Sequence, residues 1–170
     1  MVDINENILS KKNLIYGTIQ MPKGFDIKTG VLQKDILTHN IQDCPFPFSI
    51  ELDKLQTYLR EHIKLLYNFT LIQMETTGYM FKPNESNIPN LEVNQLDLRN
   101  SPDYVMLYGV NVENSSVKIY YNDNRRAGKS WDIKLENNKF IMFPSTLVYH
   151  ISNKQNNRLN FILKTNYEFI

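Results

Sequence analysis

Two polar side chains near the C-terminus have types and a spacing that could serve chemistry. His150 closes the segment 143–150, and Arg158 lies eight positions later, at the start of the apolar run 158–163. Imidazole is the commonest metal ligand among side chains, and guanidinium is a permanently charged fork that suits carboxylates. If both enter one barrel, they place a metal ligand beside an anion anchor. If they do not, His150 is an ordinary core histidine and Arg158 pairs with an acidic residue across the barrel mouth.

A second polar pair, Gln95 and Asp97, lies in an earlier segment. Side chains two positions apart on a strand face the same side of the sheet, so both could reach one site. The competing interpretations are that Gln95 is a surface amide and that Asp97 caps the turn before Pro102.

Composition excludes several classes of partner. The 19 basic and 18 acidic residues leave a net charge of +1, so no overall field attracts nucleic acid or an anionic membrane. The single cysteine, Cys44, excludes an intrachain disulfide and a Cys-x-x-Cys metal knuckle. No apolar run approaches the ~20 residues that span a bilayer, and segment 1–7 does not resemble a signal peptide. We therefore predict a cytoplasmic protein, without nucleic acid or membrane as partner, whose substrate and oligomeric state composition leaves open.

The N-terminal part of the chain predicts one strand and one helix. Residues 1–12 are polar and are predicted to be flexible, 13–21 alternates like a strand, and 28–30 predicts a hairpin or a short irregular lead-in. A helix follows Ser49, which can cap it, and acidic residues occupy its first turn. Its apolar stripe has helical spacing and consists of Leu52, Leu55, Leu59, Ile63 and Leu66.

From residue 69 onward, short runs of aromatic and β-branched residues alternate with turn residues. We predict a single domain over 1–170, in which 13–68 holds the first strand and the helix and 69–165 forms a mostly β core. That core is expected to be a sandwich or jelly roll buttressed by the helix. The predicted strands are 69–75, 78–82, 91–97, 104–112, 116–121, 131–135, 139–143, 147–152 and 158–165.

The order of motifs in the C-terminal half resembles the double-stranded β-helix of the 2-oxoglutarate and Fe(II)-dependent oxygenases, especially short phage and marine bacterial members. The resemblance covers roughly residues 69–165 and implies a jelly-roll, cupin-like fold with Fe(II) and 2-oxoglutarate as cofactors. The segments that carry it are Gln95-Leu96-Asp97, Val105-Met106-Leu107-Tyr108-Gly109-Val110, Val117-Lys118-Ile119-Tyr120-Tyr121-Asn122-Asp123, Phe140-Ile141-Met142-Phe143-Pro144-Ser145, His150 and Arg158-Leu159-Asn160.

The resemblance also implies roles for individual residues. The metal ligands would be His150 and Asp97, with Gln95 where the family has its first histidine. The residues that bind 2-oxoglutarate would be Arg158, Asn160, which stands for the usual serine, and Tyr108.

Two departures from the family pattern bear on those roles. An alternative alignment of Asn100-Ser101 places Leu96 and Leu98 at the ligand positions and leaves His150 as the remaining ligand. His150 also lies one residue further from Phe-Pro-Ser than in the family, and one step along a strand reverses the side chain unless a bulge restores it.

Three functions are compatible with these observations. The leading hypothesis is an oxygenase-like protein that hydroxylates an unknown small molecule or protein, with a weakened or lost metal site. The alternative is a non-catalytic jelly-roll interaction module of viral origin, which would lie in the host cytoplasm. The third and most remote hypothesis is a cupin-like small-molecule binder without redox activity.

The basic segment 124–130 ends in Gly-Lys-Ser but lacks the first glycine of a phosphate loop, so we predict a hairpin tip there.

Overall fold

The structure is a computed structural model that describes residues 13–122, 128–155 and 157–170. The predicted flexibility of 1–12 and most of the predicted hairpin tip at 124–130 lie outside the described residues. In chain order the elements are β1 (Ile15–Thr18), α1 (Thr29–Gln42), α2 (Ile50–Tyr67), β2 (Leu71–Phe81), a 3-10 turn (Leu98–Asn100), β3 (Tyr104–Asn111), β4 (Ser115–Asn122), β5 (Gly128–Leu135), β6 (Lys139–Pro144), β7 (Val148–Asn153) and β8 (Asn160–Phe169).

Two antiparallel sheets face each other. The larger sheet has the order β1-β6-β3-β8-β2 and the smaller one has the order β5-β4-β7. The segment 86–90 extends the smaller sheet beyond β7, through isolated bridges from Ser86 to Ser152 and from Asn90 to Tyr149. This arrangement confirms the mostly β, jelly-roll class.

Each face of the larger sheet covers a separate apolar cluster. On one face, Met106, Leu163 and Tyr167 pack with the buried residues of both helices. On the other face, Leu107 and Ile162 pack against residues of the smaller sheet. Because side chains alternate along a strand, β8 sends its odd-numbered residues toward the helices and its even-numbered residues between the sheets.

Helix α2 begins as predicted, because the Ser49 hydroxyl accepts a hydrogen bond of 3.3 Å from the backbone N–H of Leu52. The predicted stripe is buried as far as Ile63, whereas Leu66 is 71% exposed. Two helices, and not the single one expected, pack on the larger sheet. Within the described residues, neither helix is long and apolar enough to cross a membrane.

Helix α1 was not predicted. The hairpin or short irregular lead-in expected at 28–30 is wrong, since α1 starts at Thr29. Only Leu32 and Ile36 are buried along it, so its apolar stripe is too narrow to recognise in the sequence. Its place is set by a close approach to β2. A Cβ atom built on Gly78 would lie 2.8 Å from Cγ1 of Ile36.

The predicted strands from 104–112 onward correspond to β3 through β8. Two predictions differ. The strands 69–75 and 78–82 form one strand, β2, with an irregularity between Gln73 and Glu75. The strand at 91–97 is wrong, because Ser101 and Asn94 exchange side-chain and backbone hydrogen bonds of 2.8 and 3.3 Å that fold this segment into a loop.

Candidate functional site

The interior between the two sheets contains a compact group of polar side chains. Glu92 lies at its centre. One carboxylate oxygen, Oε1, accepts hydrogen bonds from Tyr149 Oη and Asn90 Nδ2, both at 2.7 Å. The other, Oε2, accepts from Lys164 Nζ at 2.8 Å and from Asn166 Nδ2 at 3.4 Å. We call these five residues the Glu92 cluster.

Three separate parts of the chain position the Glu92 cluster. The backbones of Asn90 and Tyr149 exchange two hydrogen bonds of 2.8 and 3.0 Å, which hold segment 86–90 on β7 and bring Glu92 inward. Tyr149 is fully buried because it lies on the same face of β7 as Ile151. Lys164 and Asn166 lie on the inward face of β8, which β2 flanks.

The electrostatics keep the ion pair charged. Burial acts to raise the pKa of Glu92, but the hydrogen bonds from Lys164 and Tyr149 outweigh it and hold the pKa below its ordinary value. Burial acts to lower the pKa of Lys164, but the interactions with Tyr79 and Glu92 raise it. Burial, followed by the neighbouring Tyr79 and Glu92, raises the pKa of Tyr149. Near neutral pH the cluster therefore contains a carboxylate, an ammonium and a protonated phenol.

The predicted ligand His150 lies on the opposite face of β7 from the Glu92 cluster. It pairs across the sheet with Lys118, whereas Tyr149 and Ile151 on either side of it point inward. Its ring is half-buried, and Nδ1 is buried without a hydrogen-bond partner. The extra residue after Phe-Pro-Ser is therefore not compensated by a bulge, and Tyr149 takes the inward position.

The predicted ligands Gln95 and Asp97 are exposed in the loop before the 3-10 turn. Both carboxylate oxygens of Asp97 accept hydrogen bonds from the side chain of Asn100, at 3.1 and 2.9 Å, and the Asp97 side chain makes no capping hydrogen bond to a backbone N–H of the 3-10 turn. In the alternative alignment Leu96 and Leu98 are also exposed, by 98% and 68%. Among the described residues, no hydrogen bond or ion pair joins this loop to His150.

The three residues predicted to bind 2-oxoglutarate are separated as well. Arg158 is exposed in the turn before β8, and its backbone N–H donates to Gln155 Oε1. Asn160 is buried between the sheets, where its amide donates to Ser115 and Asn153 at 2.7 Å each.

Tyr108 lies on the opposite, helix-facing side of the larger sheet. Its hydroxyl donates to Asn138 Oδ1 at 2.7 Å. Because Tyr108 and Asn160 face opposite sides of one sheet, they cannot line a common cavity with Arg158.

The side chains present do not fit an Fe(II) and 2-oxo acid site. Such a site needs two imidazoles and a carboxylate on one face of the ion, with further positions open. Within 13–122, 128–155 and 157–170 no three histidine, cysteine or acidic residues group closely enough to hold a metal. In the Glu92 cluster, the ammonium of Lys164 is already paired with the carboxylate of Glu92 and would repel a metal cation.

Sequence reasoning missed Glu92, Tyr149 and Lys164 as a group. The one usable signal was the strand parity after Phe-Pro-Ser, which already indicated that His150 and Tyr149 exchange directions. Nothing local links Glu92 to Lys164, which lies 72 positions further along the chain.

No protein-family sequence model matches this chain, and no curated protein sequence matches it. Solved structures do. A prolyl-4-hydroxylase from Pseudomonas putida aligns with a TM-score of 0.63 at 13% identity, over 92% of this chain and 88% of that one. A viral collagen prolyl hydroxylase from Paramecium bursaria Chlorella virus-1, in complex with 2-oxoglutarate, gives 0.58 at 13% identity, over 89% and 94%.

The HygX protein of Streptomyces hygroscopicus, solved with nickel and 2-oxoglutarate, aligns with a TM-score of 0.57 at 10% identity, over 92% of this chain and 83% of that one. At such identities the likeness shows a shared fold. The resemblance to the 2-oxoglutarate and Fe(II)-dependent oxygenase superfamily is thus confirmed at the level of the fold.

Proposed function

We propose that this chain is an oxygenase-fold protein in which the Fe(II) site has been lost and which does not catalyse oxygenation. The observation that carries the proposal is the ion pair between Lys164 and Glu92, closed by the phenol of Tyr149, inside the jelly roll. The lone Cys44 and the balanced charge support a cytoplasmic setting.

The Glu92 cluster supports a structural role for the barrel interior. The side chains of Lys164 and Glu92 are 8% and 9% exposed, so an incoming anion would have to separate a nearly buried pair. Separating such a pair leaves an uncompensated charge in a poorly solvated place, which is costly. Lys164 could otherwise bind the carboxylate of a ligand. In this structure Glu92 already supplies the carboxylate to which Lys164 binds.

The competing hypothesis is an active oxygenase that hydroxylates an unknown substrate. It requires His150, Asp97 and Gln95 to converge on one ion and Arg158 to turn toward it. In the structure these side chains lie on a sheet face, in an exposed loop and in a distant turn. A rearrangement of the whole 94–101 loop would be needed before they could meet.

The test is an anaerobic titration with Fe(II) and 2-oxoglutarate, followed by visible absorption and by calorimetry. We expect neither the charge-transfer band of an Fe(II)–2-oxo acid complex nor saturable heat. A band in the wild-type protein that His150→Ala or Asp97→Ala abolishes would overturn the proposal and restore the catalytic hypothesis.

The variant Gln95→His provides a second, independent test. If Gln95 stood at a decayed ligand position, restoring an imidazole would create metal binding. Because Gln95 lies in an exposed loop, we expect this variant to bind Fe(II) no better than the wild-type protein does. A gain of tight Fe(II) binding would show that residue 95 belongs to a metal site.

A further inference from the structure

A polar cavity lies at the other end of β7 from the Glu92 cluster. Its volume is about 320 Å³. Tyr149 and Lys154 are five residues apart on an extended chain, which separates the two sites by roughly 16 Å. We call it the turn cavity, and it is lined by Glu113, Asn114, Lys154, Gln155, Asn157 and Arg158.

Hydrogen bonds between two turns hold the turn cavity in shape. Asn114 Nδ2 donates to the carbonyl of Lys154 at 3.2 Å, and the backbone N–H of Lys154 donates to the carbonyl of Asn114 at 3.0 Å. The side-chain amide of the buried Asn160 forms two hydrogen bonds with the backbone of Glu113. Its Oδ1 accepts from the Glu113 N–H at 3.1 Å, and its Nδ2 donates to the Glu113 carbonyl at 2.8 Å. The walls are therefore fixed by the backbone rather than by exposed side chains alone.

The side chains at the rim of the turn cavity carry a positive balance. Lys154 and Arg158 are cationic and Glu113 is anionic, and all three are exposed. In the part of the chain that the structure describes, no ion pair joins either cation to Glu113 or to another acid. These three rim side chains together carry a charge of +1, and neither cation is in an ion pair with a described residue, which favours an anionic ligand.

Gln155 adds a donor that has no partner. The side chain is 4% exposed, and its Oε1 accepts hydrogen bonds from the backbone N–H groups of Asn157 and Arg158, at 2.8 and 2.6 Å. Two N–H donors fix the oxygen on that side, so the amide cannot be flipped. Nε2 is consequently left on the other side, buried and without a hydrogen-bond partner among the residues that the structure describes. Buried amide donors are nearly always paired in native proteins, so this one points to a missing acceptor.

We propose that the turn cavity binds inorganic phosphate. Arg158 and Lys154 would neutralise its charge, and Gln155 Nε2 would donate to one of its oxygens. The carboxylate of Glu113 only accepts hydrogen bonds, so it favours an oxyanion that retains a proton. Monohydrogen phosphate has such a proton at neutral pH, whereas sulfate has none and would meet Glu113 as a like charge. The geometry therefore selects phosphate over sulfate.

The experiment is an NMR titration of the backbone amides with inorganic phosphate, methyl phosphate and sulfate, at constant ionic strength in sodium chloride. We expect saturable shifts at the amides of Asn114, Gln155 and Arg158, with sulfate bound about tenfold more weakly than phosphate, which corresponds to one ordinary charge-assisted hydrogen bond. Methyl phosphate is mostly an unprotonated dianion at neutral pH, because its second pKa is about 6, so it should bind more weakly than inorganic phosphate does. Equal binding of the two would contradict the role assigned to Glu113.

Three variants separate the roles within the turn cavity. Arg158→Gln removes a cation, and we expect phosphate to bind about tenfold more weakly. Gln155→Glu keeps the oxygen that accepts from the turn and replaces the free donor by a second carboxylate oxygen, so phosphate binding should be lost in a variant whose spectrum remains that of the folded protein. Glu113→Gln removes the like charge, and the preference for phosphate over sulfate should shrink.

Arg99→Gln is the matched control, since it removes an exposed arginine outside the turn cavity. It should leave phosphate binding unchanged. The proposal is overturned if phosphate produces no saturable shift, if Gln155→Glu with an intact spectrum binds phosphate as well as the wild-type protein does, or if Arg99→Gln weakens binding as much as Arg158→Gln.

Discussion

The two faces of β8 are both buried, but they are stabilised in different ways. The face toward the helices is mainly apolar, and its polar groups form one short chain in which the Tyr167 hydroxyl donates to Gln56 Oε1 and Gln56 Nε2 donates to Thr165. The face between the sheets contains the ion pair of Lys164 with Glu92. Apolar packing tolerates partial loss, whereas a buried charge requires its partner. The inward face is therefore the more sensitive one, although β8 contributes fewer apolar residues to it.

The largest effect should follow from removal of the central carboxylate. Glu92→Ala leaves the ammonium of Lys164 and the hydroxyl of Tyr149 without their acceptor. Loss of one partner of a buried pair costs about 3–5 kcal/mol, so we expect the free energy of unfolding in urea to fall by that amount.

The double variant Glu92→Gln with Lys164→Met is the control, because it removes both charges together. It should recover a large part of the stability that Glu92→Ala loses. If the double variant is no more stable than the single one, the pair is not the origin of the effect.

On the helix-facing side, Leu59→Ala should destabilise through a cavity. Leu59 is 1% exposed in the apolar cluster between α2 and the larger sheet. Truncation of a buried leucine costs about 2–5 kcal/mol, with the lower values where neighbours can close the gap. Urea denaturation measures this cost, and Leu66→Ala on the same helix is the control, since Leu66 is largely exposed and should change stability little. Equal losses in both variants would contradict the observed packing of α2.

The sequence predicted one of these faces better than the other. The stripe of α2 and its cap Ser49 are local patterns, so they could be recognised without knowledge of the fold. The strand parity after Phe-Pro-Ser indicates the direction of Tyr149. The place of segment 86–90 on β7 and the contact of Glu92 with Lys164, however, join distant segments. Helix α1 was missed because its position depends on Gly78 in β2 rather than on its own weak apolar stripe. Tertiary contacts decide all three, and no short window of sequence contains them.

Acidification should weaken the inward face through Glu92. Because the folded state lowers the pKa of Glu92 below its ordinary value of 4.5, the unfolded chain takes up the proton first as the pH falls. The stabilisation is present above pH 4.5 and is lost as the pH drops through the lowered folded value. Urea titrations across this range should show a steeper acid loss in the wild-type protein than in Glu92→Gln. Identical pH dependence in the two proteins would contradict a charged Glu92.

The smallest effect should come from Asp97→Ala, and it separates the loop from the Glu92 cluster. Asp97 is exposed and its side chain accepts hydrogen bonds from Asn100 in the same turn, so its removal should change the free energy of unfolding by no more than about 0.5 kcal/mol. The same substitution at a metal ligand would remove the stabilisation that bound metal adds to the folded state. Thermal denaturation of the wild-type protein and Asp97→Ala, each with and without Fe(II), therefore gives four melting temperatures. We expect all four to agree closely, because neither the metal nor the carboxylate at position 97 contributes to the folded state.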